Sequence, residues 1–96
     1  MKKNGSSKDF YDRLRTQLEA DTAWPSPYMY KFIVPSILEK VAEIRAIFDG
    51  TDAFVQTRDS SKGNYTSVSI RVTMNSPDAV IEKYLEVSKV EGVISL

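Results

Sequence analysis

The chain has 96 residues, with 13 Lys and Arg balanced by 13 Asp and Glu, 42% apolar residues, and neither His nor Cys. That length supports one hydrophobic core and no second domain, and the missing imidazole and thiol exclude thiolate catalysis, disulfides and the usual zinc ligation. Zero net charge argues against bulk attraction to nucleic acid, and with no apolar run of signal or membrane-span length, a cytoplasmic protein with no membrane partner is the expectation.

The polar, glycine-containing start Met1-Lys2-Lys3-Asn4-Gly5 predicts a disordered segment. Ser6-Ser7-Lys8-Asp9 has the form of a capping box. It opens a helix in which Phe10, Leu14 and Leu18 recur every four residues with Tyr11 beside them, while Asp12, Arg13, Arg15, Gln17 and Glu19 take the polar positions. Pro25 and Pro27 end that helix, so Asp21 to Pro27 is a connector. Trp24 reads as the aromatic that anchors the connector to its own domain, with a recognition hot spot as the alternative.

Tyr28 to Val34, rich in aromatic and β-branched residues, predicts a strand. Ser36-Ile37-Leu38-Glu39 is a second capping box, and Ile37, Val41, Ile44 and Phe48 follow helical spacing to a stop at Asp49-Gly50. Ala53 to Asp59 predicts a strand of weaker pattern, and Ser60 to Asn64 a hairpin loop containing Gly63. Tyr65 to Met74 is the clearest strand: Val68, Ile70, Val72 and Met74 alternate with Ser67, Ser69, Arg71 and Thr73, giving one buried face and one wet face. Ser76-Pro77-Asp78 caps a third helix with the stripe Val80, Ile81, Tyr84 and Leu85, and after Glu91-Gly92 a short last strand covers Val93 to Leu96.

This order predicts an α+β fold, the ferredoxin-like βαββαβ sandwich: a four-stranded antiparallel sheet with two helices on one face, plus an extra N-terminal helix. Residues 1–23 form the flexible start and helical extension, and 24–96 the ferredoxin-like domain. The second and fourth strands lie at the sheet edges, and the face away from the helices is open.

Trp24-Pro25-Ser26-Pro27-Tyr28-Met29-Tyr30-Lys31-Phe32, Arg58 to Ile70 and the closing Val90-Glu91-Gly92-Val93 together resemble the YbeD-like family of small bacterial proteins of unknown function. The likeness spans about Trp24 to Leu96 and is most specific over Ser61 to Val68. It implies a fold akin to the ACT regulatory domains, which bind amino acids and modulate enzymes, and it supplies no catalytic residues. ACT domains commonly place Pro-Gly-x-Leu at the first strand-to-helix turn, where Pro35, Ser36 and Ile37 stand here, with Ser36 in the glycine's place. As a ligand site, this helix end would favour a carboxylate or other anion. As a structural feature, the Ser36/Glu39 pair is fully explained as a cap.

A second constellation is cationic. Arg58 and Lys62 flank the hairpin loop and Arg71 lies on the wet face of its strand; with Lys31, the parity of the strands brings Lys31, Arg58 and Arg71 to the open face. There they suit a phosphate or an acidic partner, or serve only as solvated charges that protect the sheet from edge pairing. Asp49 and Asp52 read as helix termination and a turn rather than a metal site, since no calcium-loop pattern surrounds them.

No nucleophile–base grouping, phosphate-binding glycine loop or metal cluster can be named, so the expectation is a non-enzymatic regulatory or interaction module without a cofactor, resembling ACT domains. Its partner would be a protein or a small anionic metabolite. An RNA-binding module using the open face is the alternative, weakened because Ser67, Ser69, Arg71 and Thr73 leave no base-stacking aromatic there besides Tyr65. Two further expectations concern surfaces. The short edge strand Val93 to Leu96 can pair with its copy to give a homodimer. Met29, Ile33 and Phe54 would form an apolar patch on the open face, part of which the N-terminal helix covers with Phe10, Tyr11, Leu14 and Leu18, on its own chain or on a second copy.

Overall fold

Alternation along Tyr65–Met74 gives a ten-residue strand with one buried row, so one face of its sheet must be covered by another layer. The structure is a computed structural model that describes residues 3–96, with side chains from Lys8 onward. Its elements are α1 (Lys3–Asp21), β1 (Ser26–Pro35), α2 (Leu38–Ile47), β2 (Phe54–Asp59), β3 (Tyr65–Met74), α3 (Pro77–Val87) and β4 (Ile94–Ser95). The sheet runs β2-β3-β1-β4, antiparallel throughout, with β2 and β4 at the edges as the sequence predicts.

One face of the sheet is the core. Tyr30, Phe32 and Val34 from β1 and Val68, Ile70, Val72 and Met74 from β3 meet Ile44 and Phe48 at the end of α2 and Val80, Tyr84 and Val87 of α3. Each fully buried apolar side chain contributes about 2 kcal/mol before conformational entropy is counted. The core holds tyrosines because their hydroxyls are answered: Tyr30 donates to the Val80 carbonyl at 3.0 Å, and the Tyr28 and Tyr84 hydroxyls lie 2.8 Å apart. Burial pushes the Tyr30 and Tyr84 phenols well above their usual range. Of the stripe predicted on α3, Val80, Ile81 and Tyr84 are buried, whereas Leu85 faces solvent and Val87 takes the inner position.

Ser76 behaves as its sequence indicates: its Oγ accepts from the Ala79 N–H at 3.1 Å, with Pro77 opening the helix. Ser36 does not. The capping position of α2 is Ile37, with no side-chain cap, because the Ile37 N–H turns back onto the Pro35 carbonyl (2.7 Å) and delays the helix by one residue. The Ser36 hydroxyl instead lies 2.7 Å from Thr66 Oγ1, and its N–H donates to the Asn64 carbonyl at 3.0 Å. Thr66 has one proton and gives it to Asp59 Oδ1 (3.0 Å), so Ser36 is the donor to Thr66.

The N-terminal expectations need two corrections. The backbone is helical from Lys3, so Ser6 lies inside α1 rather than at its cap; Met1 and Lys2 lie outside the described residues. More consequentially, α1 does not cover the open sheet face. Tyr11 meets Tyr84 with ring centroids 6.2 Å apart, Arg15 Nε donates to Asp78 at 2.6 Å, and Leu14 and Leu18 pack against the core from the α3 side. The connector imposes this direction: Trp24 Nε1 donates to the Leu18 carbonyl at 3.2 Å, folding the chain back along α1 and anchoring Trp24 within its own domain. Phe10, over half exposed, lies outside that contact.

Candidate functional site

Strand parity places Lys31 between Met29 and Ile33 on the face opposite the core. The register then assembles three rows across the sheet: Met29–Arg71–Phe54, Lys31–Ser69–Gln56 and Ile33–Ser67–Arg58, with Ile94 beside Ile33. Lys31, Arg58 and Arg71 therefore do share the open face, while Lys62 stays in the hairpin loop away from these rows. No position in the rows is a carboxylate. Among the described residues the ion pairs are Lys8–Asp12, Arg15–Asp12, Arg15–Asp78 and Lys83–Glu86, none of which involves a sheet cation.

The nearest acids are engaged by threonines. Asp52, just before β2, accepts from the Thr73 hydroxyl (2.7 Å) and the Thr73 N–H (2.9 Å), and these bonds lower its carboxyl below the usual range. Asp59 pairs with Thr66 on the other face of the sheet. What remains between Lys31 and Arg58 is a trough of about 310 Å³ lined by these two cations with Gln56, Thr57, Ser67 and Ser69. Ser67 donates to the Arg58 carbonyl at 3.3 Å, and Ser69 and the Gln56 amide have no side-chain partner among the described residues. Around the trough the apolar side chains stay bare: Met29 is 50% exposed, Phe54 60% and Ile94 53%.

The other predicted site, Pro35-Ser36-Ile37, faces a cleft of about 250 Å³ between the start of α2 and the β2 edge. Ser36 and Ile37 line it with Leu38, Asp59 and Thr66, whereas the Pro35 ring packs against Gly92. The Asp59 carboxylate opposes the anion that the helix end alone would favour. Neither Asp59 nor Thr66 stands out in the sequence; only the pairing of Asp59 with Thr66 across the hairpin reveals them. Among the described residues no group of three or more His, Cys, Asp or Glu could hold a metal ion.

The sequence profile of a protein family described as being of unknown function, DUF493, matches residues 19–96. A UPF0250 protein of Sodalis glossinidius is 32% identical over 83 residues, covering 83% of this chain and 95% of the relative, and the UPF0250 protein YbeD of Escherichia coli is 30% identical with the same coverage. Among solved structures, the ACT domain from GTP pyrophosphokinase of Chlorobium tepidum superposes with a TM-score of 0.52 at 12% identity, covering 74% of this chain and all of that domain. This likeness concerns the fold.

Proposed function

Because the chain belongs to the DUF493 family of proteins of unknown function and shares its fold with an ACT domain, we propose that it is a non-enzymatic interaction module holding a protein partner on its open sheet face. The observation that carries this reading is the composition of that face: Met29, Phe54 and Ile94 stand about half exposed or more beside three cations without carboxylate partners. Large apolar side chains left exposed and interleaved with unpaired cations suit a surface that a protein partner covers. α1, the element with a matching apolar stripe, is engaged on α3 and leaves the face bare. A cytoplasmic setting belongs to this reading, and no helix among the described residues is long and apolar enough to cross a membrane.

RNA binding is the weaker reading. Sheet platforms of that kind stack bases on aromatics of the two central strands. Here the central rows present Met29, Lys31, Ile33, Ser67, Ser69 and Arg71, with Tyr65 only at the strand's start.

The test is site-specific photo-crosslinking in the native cell. A crosslinking residue at Gln56, on the face, should give one recurring protein adduct, and the same residue at Arg45, exposed on α2, should not. Adducts at Arg45 alone, or at neither position, would overturn the reading.

A further inference from the structure

We propose that the trough between Lys31 and Arg58 binds a phosphate group, the dianion of a small phosphorylated ligand. The inference rests on the open face being the binding surface and names the chemistry of its centre.

Lys31, Gln56, Arg58, Ser67 and Ser69 present polar side chains to the trough, and Thr57, whose partner Val68 faces the core, borders it from the β2 backbone. Lys31 on β1 and Arg58 on β2 stand on opposite walls with β3 between them and one row apart along the strands, roughly 12 Å at the backbone. Both side chains line the trough, together with Ser69 of β3 and Gln56 of β2, whose donors have no side-chain partner among the described residues. Ser67 is bound only to the Arg58 carbonyl, at 3.3 Å, and can turn upward at little cost. Two positive charges approaching from different sides, with hydroxyl and amide donors beneath, match a tetrahedral dianion better than a planar carboxylate, which one arginine can satisfy alone. Charge balance points the same way, because neither cation has an internal carboxylate and Asp59 is turned to the opposite face. A space of about 310 Å³ admits phosphate with a small attached body.

The full chain is titrated with inorganic phosphate at constant ionic strength set by chloride, and followed by amide and Gln56 side-chain NMR. Saturable shifts confined to Lys31, Gln56, Arg58, Ser67 and Ser69 are expected. Arg58→Gln and Lys31→Gln should each weaken binding about tenfold, Lys89→Gln on the far side should leave it within twofold, and ribose 5-phosphate should occupy the same residues. Shifts that grow linearly, spread over the helices, or ignore Arg58→Gln would overturn the proposal. So would binding of a phosphoserine peptide without binding of phosphate or ribose 5-phosphate. Failure here with a protein adduct still formed at Gln56 would remove the phosphate site alone; saturable phosphate binding without any adduct would remove the protein-partner reading alone.

Discussion

Replacing Ser36 by alanine distinguishes a helix cap from a tether between elements. Both roles cost about 1 kcal/mol when the hydroxyl is lost, so the single variant does not separate them. The discriminating perturbation is the cycle Ser36→Ala, Thr66→Val and the double variant. In the structure the Ser36 hydroxyl ends on Thr66 Oγ1 at 2.7 Å; Thr66 is 5% exposed while Ser36 is open to solvent, so the bond is shielded from one side and is expected to contribute up to about 1 kcal/mol. Thr66→Val removes that acceptor and also the donor to Asp59 at 3.0 Å; it should therefore cost more than Ser36→Ala, with the Asp59 part softened because water reaches that exposed carboxylate. Once Thr66 is valine, Ser36→Ala should cost almost nothing further, giving a coupling energy of about 1 kcal/mol. For a domain of this size Ser36→Ala alone lowers the midpoint by about 4–8 °C. Equilibrium urea unfolding of the four proteins, followed by circular dichroism, reads the cycle. A coupling below about 0.3 kcal/mol, with Ser36→Ala equally costly in both backgrounds, would refute the tether and restore the cap.

Gly92 has φ +85°, and a Cβ there would lie 3.0 Å from the Pro35 ring, whereas Gly63 at φ +74° has open space around it. Gly92→Ala should therefore lower the thermal midpoint clearly more than Gly63→Ala, whose cost is the left-handed backbone alone, about 1 kcal/mol; equal shifts would show that the close approach is not felt. The Tyr30 and Tyr84 phenols titrate higher in the folded chain than unfolded, so their stabilisation is complete below about pH 10 and is lost as pH rises through the folded values. Unfolding followed at stepped alkaline pH should start above pH 10, and Tyr84→Phe should flatten that dependence; a loss beginning near neutrality would contradict the assignment. Deleting residues 1–22 removes the partly buried Tyr11, Leu14 and Leu18, about 1 kcal/mol each, and should shift the NMR signals of Asp78 and Tyr84 while leaving Met29, Ile33 and Phe54 unmoved. The opposite pattern would put α1 on the sheet.

The two serine motifs show what local pattern carries. Ser76 and Ser36 have equally good capping sequences, yet only Ser76 caps. At Ser76 the next residue is proline, whose fixed φ starts the helix at once. At Ser36 a hydroxyl 30 residues away in sequence competes for the side chain, and no local window contains Thr66. The stripe on α1 is similar: Leu14 and Leu18 announce that a face is buried, but the surface that receives it is chosen by the Trp24 bond to Leu18 and by Tyr84 at the rim of the core. Strand parity is the opposite case. Period-two alternation along β3, with β1 paired to it, puts Lys31 and Arg71 on one face from the sequence alone, and the hairpin loop adds Arg58. Gln56, which lines the trough, becomes visible only through the register with Ser69.

The absence of carboxylates from the three rows turns a chain of zero net charge into an electric dipole. Lys31, Arg58 and Arg71 leave the rest of the molecule with three more negative than positive charges, most of its acids standing on the helices and their connecting loops. Such a molecule exerts no long-range pull on a distant anion, yet within about a Debye length, roughly 8 Å at physiological salt, it experiences a torque. An anionic surface drifting that close turns the sheet toward itself before contact, so fewer encounters begin in the wrong orientation.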